Sequence, residues 1–217
     1  MNPVQLVLFD MDGVLADTEP SHLEATQQLL SQEGHLLSAE ENQEYLGNMD
    51  LDYFRALKER FGLAHPVEKY VASKTVAVIG ILRGRLVPNP GVCELLLDLK
   101  MRSVKACVAS SSVPQLIDAV VDSLGLRRSF AGLYSATMVP RGKPAPDLFL
   151  HAAASCGVDP SQCLVIEDAP HGVAAARAAG MRIVAVRTPS TEGLDLSAAD
   201  HVLDSLSDFD SEILNAD

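Results

Sequence analysis

The fold of this chain is decided by the stretch Val4-Gln5-Leu6-Val7-Leu8-Phe9-Asp10-Met11-Asp12-Gly13. Its first six residues are rich in β-branched and aromatic side chains, and the apolar run stops abruptly at a loop with two acids and a glycine. A short apolar run bounded in this way is typical of a buried strand. The stretch therefore predicts the first core strand of a sheet, with two carboxylates at its carboxyl end.

Similar apolar runs recur along the chain and alternate with segments of helical periodicity. The runs cover residues 104–109, 163–166 and 182–186, and the helical segments cover 92–101, 114–124, 147–156 and 172–179. Strand alternating with helix is typical of βαβ units. We therefore predict an α/β fold, in which a Rossmann-like parallel sheet has helices on both faces.

Residues 17–86 interrupt this alternation. They contain no convincing strand and carry amphipathic segments near 21–33, 39–46, 50–61 and 66–82, after which a turn rich in proline leads back into the α/β pattern. We predict a core of residues 1–16 and 87–217 and a helical cap of residues 17–86. Ligands bind at the carboxyl ends of parallel strands, so an insertion that leaves from this edge is expected to act as a lid.

Composition excludes several classes of protein. The charge sum over 217 residues is 17 − 29 = −12, which repels nucleic acid and anionic lipid. No apolar run approaches the roughly 20 residues that cross a bilayer, and the first residues lack the features of a signal peptide. We expect a cytoplasmic monomer without nucleic-acid or membrane partners, since no apolar stripe on the predicted helices demands a second chain.

Asp10 and Asp12 form the first candidate for chemistry. Side chains at positions i and i+2 of extended backbone point the same way, so the two carboxylates repel each other unless a metal ion or a shared proton compensates. Such compensation is commonly functional. The alternative is that the two acids only cap the start of the next helix.

The later strand ends carry further polar residues. Ser110-Ser111-Ser112 follows the second run, Glu167 and Asp168 follow the third, and Lys143 lies in a loop stiffened by Pro144 and Pro146. The hydroxyl groups could serve only as helix caps, and an isolated loop lysine is ordinarily solvated. Together, however, hard carboxylate oxygens, a hydroxyl group and a lysine suit Mg²⁺ and a phosphate group. The sequence thus predicts a site for phosphoryl transfer.

Four segments then resemble, in order, the motifs of the haloacid dehalogenase-like phosphatase superfamily. They are Phe9-Asp10-Met11-Asp12-Gly13-Val14-Leu15, Val108-Ala109-Ser110, Lys143-Pro144-Ala145-Pro146-Asp147 and Glu167-Asp168-Ala169-Pro170-His171-Gly172. The helical insertion and the segment Asp17-Thr18-Glu19-Pro20-Ser21-His22 resemble the β-phosphoglucomutase-like branch of that superfamily. The resemblance covers the whole chain.

The resemblance implies a role for each matching residue. Asp10 would attack phosphorus and become a phosphoaspartate, while Asp12 would act first as general acid and then as general base. Mg²⁺ would be held by Asp10, the backbone carbonyl of Asp12, and Asp168, with support from Glu167. The phosphoryl oxygens would be held by Ser110, Ser111 and Lys143, and the substrate-facing residues of the cap would be Thr18, His22 and Lys74.

The leading prediction is a Mg²⁺-dependent phosphatase of small phosphorylated metabolites, with sugar phosphates foremost. A β-phosphoglucomutase is the alternative, but Asp50, three residues after Gly47, stands where the mutase carries an arginine that grips a second phosphate. A receiver-type signalling domain also combines strand-end acids, a hydroxyl group and a lysine, although receivers are shorter and lack the inserted lid. A nucleotide-binding module would need a glycine-rich loop after the first strand, where this chain has a single glycine.

Overall fold

The computed structural model describes residues 3–45 and 50–215. The chain divides into two compact units, which we call the core unit (Met1–Asp17 and Leu86–Asp217) and the cap unit (Thr18–Arg85). These divisions lie one residue from the boundaries expected from the sequence.

In the described part of the core unit, six strands form one parallel sheet with the order β3-β2-β1-β4-β5-β6. The strands are β1 Leu6–Phe9, β2 Lys105–Ser110, β3 Gly132–Ser135, β4 Cys163–Glu167, β5 Arg182–Val186 and β6 His201–Leu203. The predicted α/β class is confirmed. β3 and β6 were not predicted, because these short edge strands are partly exposed and carry no long apolar run.

The cap unit is helical in its described residues. Its helices are α1 Glu19–Ser31, α2 Ala39–Gln43, α3 Asp50–Phe61 and α4 Val67–Leu82. α2 begins with a capping box between Ser38 and Glu41, in which each side chain accepts from the other residue's backbone N–H. The predicted segment 39–46 ends as a helix at Gln43, and its last residue, together with Gly47, lies outside the described residues. Phe54, Leu57 and Leu30 are fully buried in an apolar cluster of this unit.

The helices of the core unit pack against the sheet. They are α5 Val92–Met101, α6 Pro114–Ser123, α7 Asp147–Cys156 and α8 Pro170–Ala178. Leu6 and Leu8 of β1 belong to a buried cluster with Leu148 of α7 and Val173 of α8, and the alternate residues of β1 are buried as well. β1 is therefore covered on both faces, as expected for a central parallel strand. Among the described helices, none has the length and apolarity needed to span a membrane.

The order of the strands creates a crevice beside β1. From β1 the chain proceeds to β2 and β3 at one edge, and it then returns to β4 on the other side of β1. Such a reversal of strand order is the switch point at which open α/β sheets bind ligands, outside the carboxyl ends of the strands. The switch point lies here between the ends of β1 and β4.

Candidate active site

Asp10 follows β1 directly and is buried at this switch point. Lys143 donates from Nζ to Asp10 Oδ1 at 2.5 Å and to Glu167 Oε1, at the end of β4, at 2.6 Å. The side chain of Lys143 is only 5% exposed, so the alternative that it is an ordinary solvated lysine of a loop is wrong. Two acids from neighbouring strand ends thus share one buried ammonium group.

Asp168, immediately after β4, completes the cluster. One oxygen from each of Asp10, Glu167 and Asp168 lies within 4.8 Å of the other two. The second oxygen of Glu167, Oε2, accepts from the backbone N–H groups of Asp168 and Ala169, both at 3.0 Å. This arrangement orients the Glu167 carboxylate toward the cluster. We call Asp10, Glu167, Asp168 and Lys143 the acidic cluster.

The acidic cluster carries more negative than positive charge. Over the described residues that form it, three carboxylates and one ammonium give 3 − 1 = 2 formal negative charges in excess. Burial raises the pKa of Asp10 to about 7, with attraction by Lys143 lowering it and repulsion by Glu167 and Asp12 raising it. Burial, with repulsion by Glu167 and Asp10, also raises the pKa of Asp168. Clustered carboxylate oxygens are the donors that hard divalent cations prefer, so these residues fit a hard divalent cation.

Burial alone would lower the pKa of Lys143, because the charged ammonium loses its hydration. Attraction by Asp10 and Glu167 outweighs that effect, and the pKa of Lys143 lies above its ordinary value. Lys143 is therefore a permanent cation in this site.

Two glycines let the backbone approach these carboxylates closely. A Cβ atom on Gly13 would lie 2.1 Å from Asp168 Oδ2, and Gly13 also has a φ of +81°. A Cβ atom on Gly172 would lie 1.7 Å from Glu167 Oε1. Both distances are far below van der Waals contact, so a side chain at either position would displace an acid of the cluster.

Asp12 faces the end of β2. Its Oδ2 accepts from Ser112 Oγ at 3.0 Å, while the buried Ser110 Oγ accepts from the N–H of Ser112, also at 3.0 Å. Ser111, which was expected beside the phosphate, is exposed. Ser112 is thus the serine that contacts a catalytic candidate, and the sequence analysis quoted it without assigning it a role.

Thr188 is a further residue that the sequence analysis did not find. Its Oγ1 donates to Asp168 Oδ2 at 3.2 Å. The same oxygen accepts from the backbone N–H of Thr191 at 3.2 Å and lies 2.7 Å from Thr191 Oγ1. Thr188 follows the end of β5, where the same search for polar strand ends would have located it.

Asn89 secures the loop that follows Asp12. Its Nδ2 donates to the carbonyl oxygens of Gly13, at 2.6 Å, and Val14, at 3.1 Å. The backbone N–H of Asn89 donates to the carbonyl of Leu15 at 2.9 Å. The turn quoted from the sequence as the return to the core is therefore also a support for the acidic loop.

The three cap candidates lie within the cap unit. Thr18 is buried, and its carbonyl accepts from the N–H groups of Ser21 and His22 at the start of α1. Lys74 of α4 donates to Asp50 Oδ1 of α3 at 2.6 Å. The charge of Asp50, which was weighed as an acid in place of the mutase arginine, is therefore matched by Lys74. The roles of Thr18, His22 and Lys74 toward a substrate stay predictions.

Comparison with known proteins gives the family. Residues 4–180 match the family model for haloacid dehalogenase-like hydrolases. The chain is 34% identical over 214 residues to a "Probable pseudouridine-5'-phosphatase" of Drosophila melanogaster, covering 94% of this chain and 91% of that protein. It is 35% identical over 181 residues to the fructose-1-phosphate phosphatase YqaB of Escherichia coli K12, covering 83% and 95%. The crystal structure of β-phosphoglucomutase from Clostridium difficile matches with a TM-score of 0.83 and 26% identity, covering 97% and 95%.

The chain belongs to the haloacid dehalogenase-like hydrolase family. The superfamily recognised from the motifs and the predicted phosphoric monoester hydrolase are confirmed. The two curated relatives are both phosphatases by name, and each matches this chain over more than nine tenths of its own length.

Proposed function

We propose that this protein is a Mg²⁺-dependent phosphatase of small phosphorylated metabolites, sugar phosphates foremost, that works through a phosphoaspartate on Asp10. The observation that carries the proposal is the excess of two negative charges in the buried acidic cluster at the switch point. The named activities of the relatives, on a phosphorylated nucleoside and a phosphorylated ketose, support the substrate class.

Asp10, Asp168 and the backbone carbonyl of Asp12 would hold the metal ion, and Glu167 would support them. When bound, Mg²⁺ would offset the negative charge of the acids and of the phosphate, as metal ions do in phosphoryl transfer. Thr188 and the close approach of Gly13 restrict the position of the Asp168 carboxylate. Orientation of a ligand by such outer contacts tunes both metal affinity and activity.

In the first step, Asp10 attacks phosphorus and the bond from phosphorus to the leaving oxygen breaks. Asp12 gives its proton to that oxygen, so the dephosphorylated metabolite leaves as an alcohol. Ser112 donates to Asp12 Oδ2 and so orients the carboxyl group that would transfer the proton. Lys143, aided by Ser110 and the neighbouring Ser111, would hold the charge of the transferring phosphoryl oxygens.

In the second step, water attacks the phosphorus of the phosphoaspartate. Asp12, now a carboxylate, takes a proton from this water as the bond between phosphorus and Asp10 breaks. Inorganic phosphate leaves, and Asp10 and Asp12 return to their starting states. We further propose that the cap residues Thr18, His22 and Lys74 select among substrates, and that the protein acts as a cytoplasmic monomer.

A panel of phosphorylated sugars, polyols and nucleosides, assayed for released phosphate, tests the proposal. We expect hydrolysis of at least one sugar phosphate with Mg²⁺, loss of hydrolysis with excess chelator, and no hydrolysis by Asp10→Asn. Full activity in the chelator would overturn the metal role. Hydrolysis by Asp10→Asn at more than a few per cent of the wild-type rate would overturn the nucleophile.

Mutase activity is the second candidate, and the likeness to the β-phosphoglucomutase structure favours it. A mutase protects its phosphoenzyme until a sugar hydroxyl group replaces water as the acceptor. The same preparation should therefore be given β-glucose 1-phosphate with a trace of the bisphosphate. Free phosphate as the main product supports the phosphatase, whereas glucose 6-phosphate formed without phosphate release assigns the mutase.

A further inference from the structure

Two cysteine thiols meet inside the core unit, on the β2 and α7 elements. Cys107 lies in the middle of β2 and Cys156 is the last residue of α7. Their Sγ atoms are 3.4 Å apart, although the residues are 49 positions apart in the chain. The proposed phosphatase mechanism uses neither thiol.

The contacts around this thiol pair hold its two sides together. Lys105, at the start of β2, donates from Nζ to the carbonyl oxygen of Cys156 at 2.9 Å. The hydroxyl group of Tyr134, on β3, lies 3.7 Å from Cys156 Sγ. The end of α7 is therefore tied to the sheet at the level of Cys107, which keeps the two sulfur atoms in contact.

The two thiols differ in their access to solvent. Cys107 is fully buried, whereas Cys156 is partly exposed. Burial, together with the nearby Cys156 thiol, raises the pKa of Cys107 to about 12. The thiolate is the reactive form of cysteine, and burial disfavours it at Cys107. An oxidant from solution therefore reaches Cys156 first, and Cys107 is the thiol that reacts second.

We propose that Cys107 and Cys156 are a reversible oxidation site, which closes as a disulfide when the protein meets a peroxide. The Cys156 thiolate attacks one oxygen of hydrogen peroxide, the O–O bond breaks, and the products are a sulfenic acid and hydroxide, which takes up the thiol proton as water. The sulfur of Cys107 then attacks the sulfenic sulfur, and the hydroxyl group leaves with the Cys107 proton as a second water. Two thiols lose two electrons, and one peroxide becomes two waters.

The disulfide would form close in sequence to residues of the proposed phosphate site. Ser110 lies three residues after Cys107 on β2, and Lys143 lies in the segment that leads into α7. The cross-link would therefore join β2, which carries Ser110, to α7, which follows the loop of Lys143. Because the sulfur atoms are already in contact, we expect the bond to form in the folded state and to stabilise it by restricting the unfolded chain.

The test oxidises the folded, reduced protein with hydrogen peroxide and maps disulfides by mass spectrometry without reduction. We expect a mass loss of about 2 Da from an intramolecular Cys107–Cys156 link, and reversal by dithiothreitol. The melting temperature should rise by about 5–10 °C, as expected for closing a loop of this length in a chain of this size. Neither effect requires the protein to be a phosphatase.

The other two cysteines provide the controls. Cys163 is also buried, but its Sγ donates to the carbonyl of Asp159 at 3.4 Å, and Cys93 is exposed. Cys163→Ser and Cys93→Ser should keep the cross-link, whereas Cys156→Ser should lose both the link and the thermal gain. A link between Cys156 and Cys163, a link that forms only after denaturation, or no intramolecular link in the folded wild type would overturn the proposal.

Discussion

Two lysines with buried side chains, one in each unit, differ in the charges that surround them. Lys74 of the cap unit is paired with Asp50 at 2.6 Å, one cation against one acid. Lys143 of the core unit contacts Asp10 and Glu167, and Asp168 belongs to the same cluster. The two ammonium groups are almost equally hidden, with 8% and 5% of their side chains exposed.

The two lysines differ in whether the acids around them exceed the positive charge that they supply. The cap pair has no excess charge, so its charge balance requires no metal ion. With every group ionised, the core cluster has two negative charges in excess, and burying uncompensated charge costs several kcal/mol per ion. This cost raises the pKa of Asp10 and of Asp168, so that protons partly offset the charge when no cation is bound. Such a cluster is destabilising unless something else supplies positive charge. A divalent cation would supply two such charges, and the proposed metal-assisted reaction would account for the tolerated cost.

The largest difference between the two units should appear when matched aspartates lose their charge. Asp10→Asn should reduce phosphatase turnover by about 10³-fold or more, because it removes the nucleophile. It should leave the melting temperature in chelator unchanged or higher, since it removes one unbalanced charge. Asp50→Asn should retain phosphatase turnover and lower the free energy of unfolding by about 1 kcal/mol, because it breaks the ion pair with Lys74. Steady-state kinetics and thermal melts of both variants provide the check.

Matched lysine substitutions should also affect the stability of the two units differently, although by a smaller amount. Lys143→Met leaves a buried cluster with no cation, and we expect a loss of about 3 kcal/mol in unfolding free energy in the presence of chelator. Lys74→Met leaves only Asp50, whose side chain is 34% exposed, and should cost about 1 kcal/mol. Urea denaturation of both variants measures the difference. Equal losses would contradict the contrast between the two lysines.

The unbalanced acids should also make stability depend on pH when metal is removed. The pKa of Asp10 is raised from 3.8 to about 7 in the folded state, so the folded protein binds more protons than the unfolded chain between these values. Its contribution to stability is fully present below pH 4 and is lost as the pH rises toward 7 and beyond, by about 2 kcal/mol between pH 5 and pH 7. In thermal melts with chelator, the melting temperature of the wild type should fall relative to that of Asp10→Asn as the pH rises over this range. An unchanged difference between the two proteins would show that Asp10 is not the titrating group.

The smallest effect should come from the hydroxyl group that orients Asp168. Thr188→Val removes the donor to Asp168 Oδ2 and should weaken the apparent affinity for Mg²⁺ by about 10-fold, while Thr188→Ser restores it. Thr191→Val is the matched control, because the backbone N–H of residue 191 still donates to Thr188. Stabilisation of the fold by added Mg²⁺, measured as a rise in melting temperature, reports the affinity independently of turnover. Equal weakening in Thr188→Val and Thr191→Val would assign the effect to packing.

Much of the core unit follows from sequence pattern alone. Helices α5 and α7 begin and end at the predicted residues, and the strand ends carry the acids quoted from the motifs. The edge strands β3 and β6 escaped because a strand with one neighbour and little apolar surface has no strong periodic pattern. Local sequence determines a buried central strand more strongly than an exposed edge.

The parts of the site that the sequence did not reveal are tertiary contacts. Lys143 lies 133 positions from Asp10, and its burial depends on a loop whose own sequence is typical of a solvated turn. Lys74 and Asp50 lie on different helices, so no local pattern indicated that the two residues form an ion pair. Ser112 and Thr188 show the same limitation, since a hydroxyl group becomes an orienting donor only when another strand end brings a carboxylate to it.

The most direct test is a titration of the metal-free protein with Mn²⁺, which shares the preference of Mg²⁺ for oxygen ligands. Binding is monitored through the electron paramagnetic resonance signal of the free ion. We expect one saturable Mn²⁺ site per chain, from which Mg²⁺ displaces the bound Mn²⁺. Asp168→Asn should weaken the affinity for Mn²⁺ by at least about 10-fold, and Asp50→Asn should leave it unchanged. Saturable binding that survives Asp168→Asn undiminished, or no saturable binding in the wild type, would contradict the claim that the charge excess of the acidic cluster is a divalent cation site.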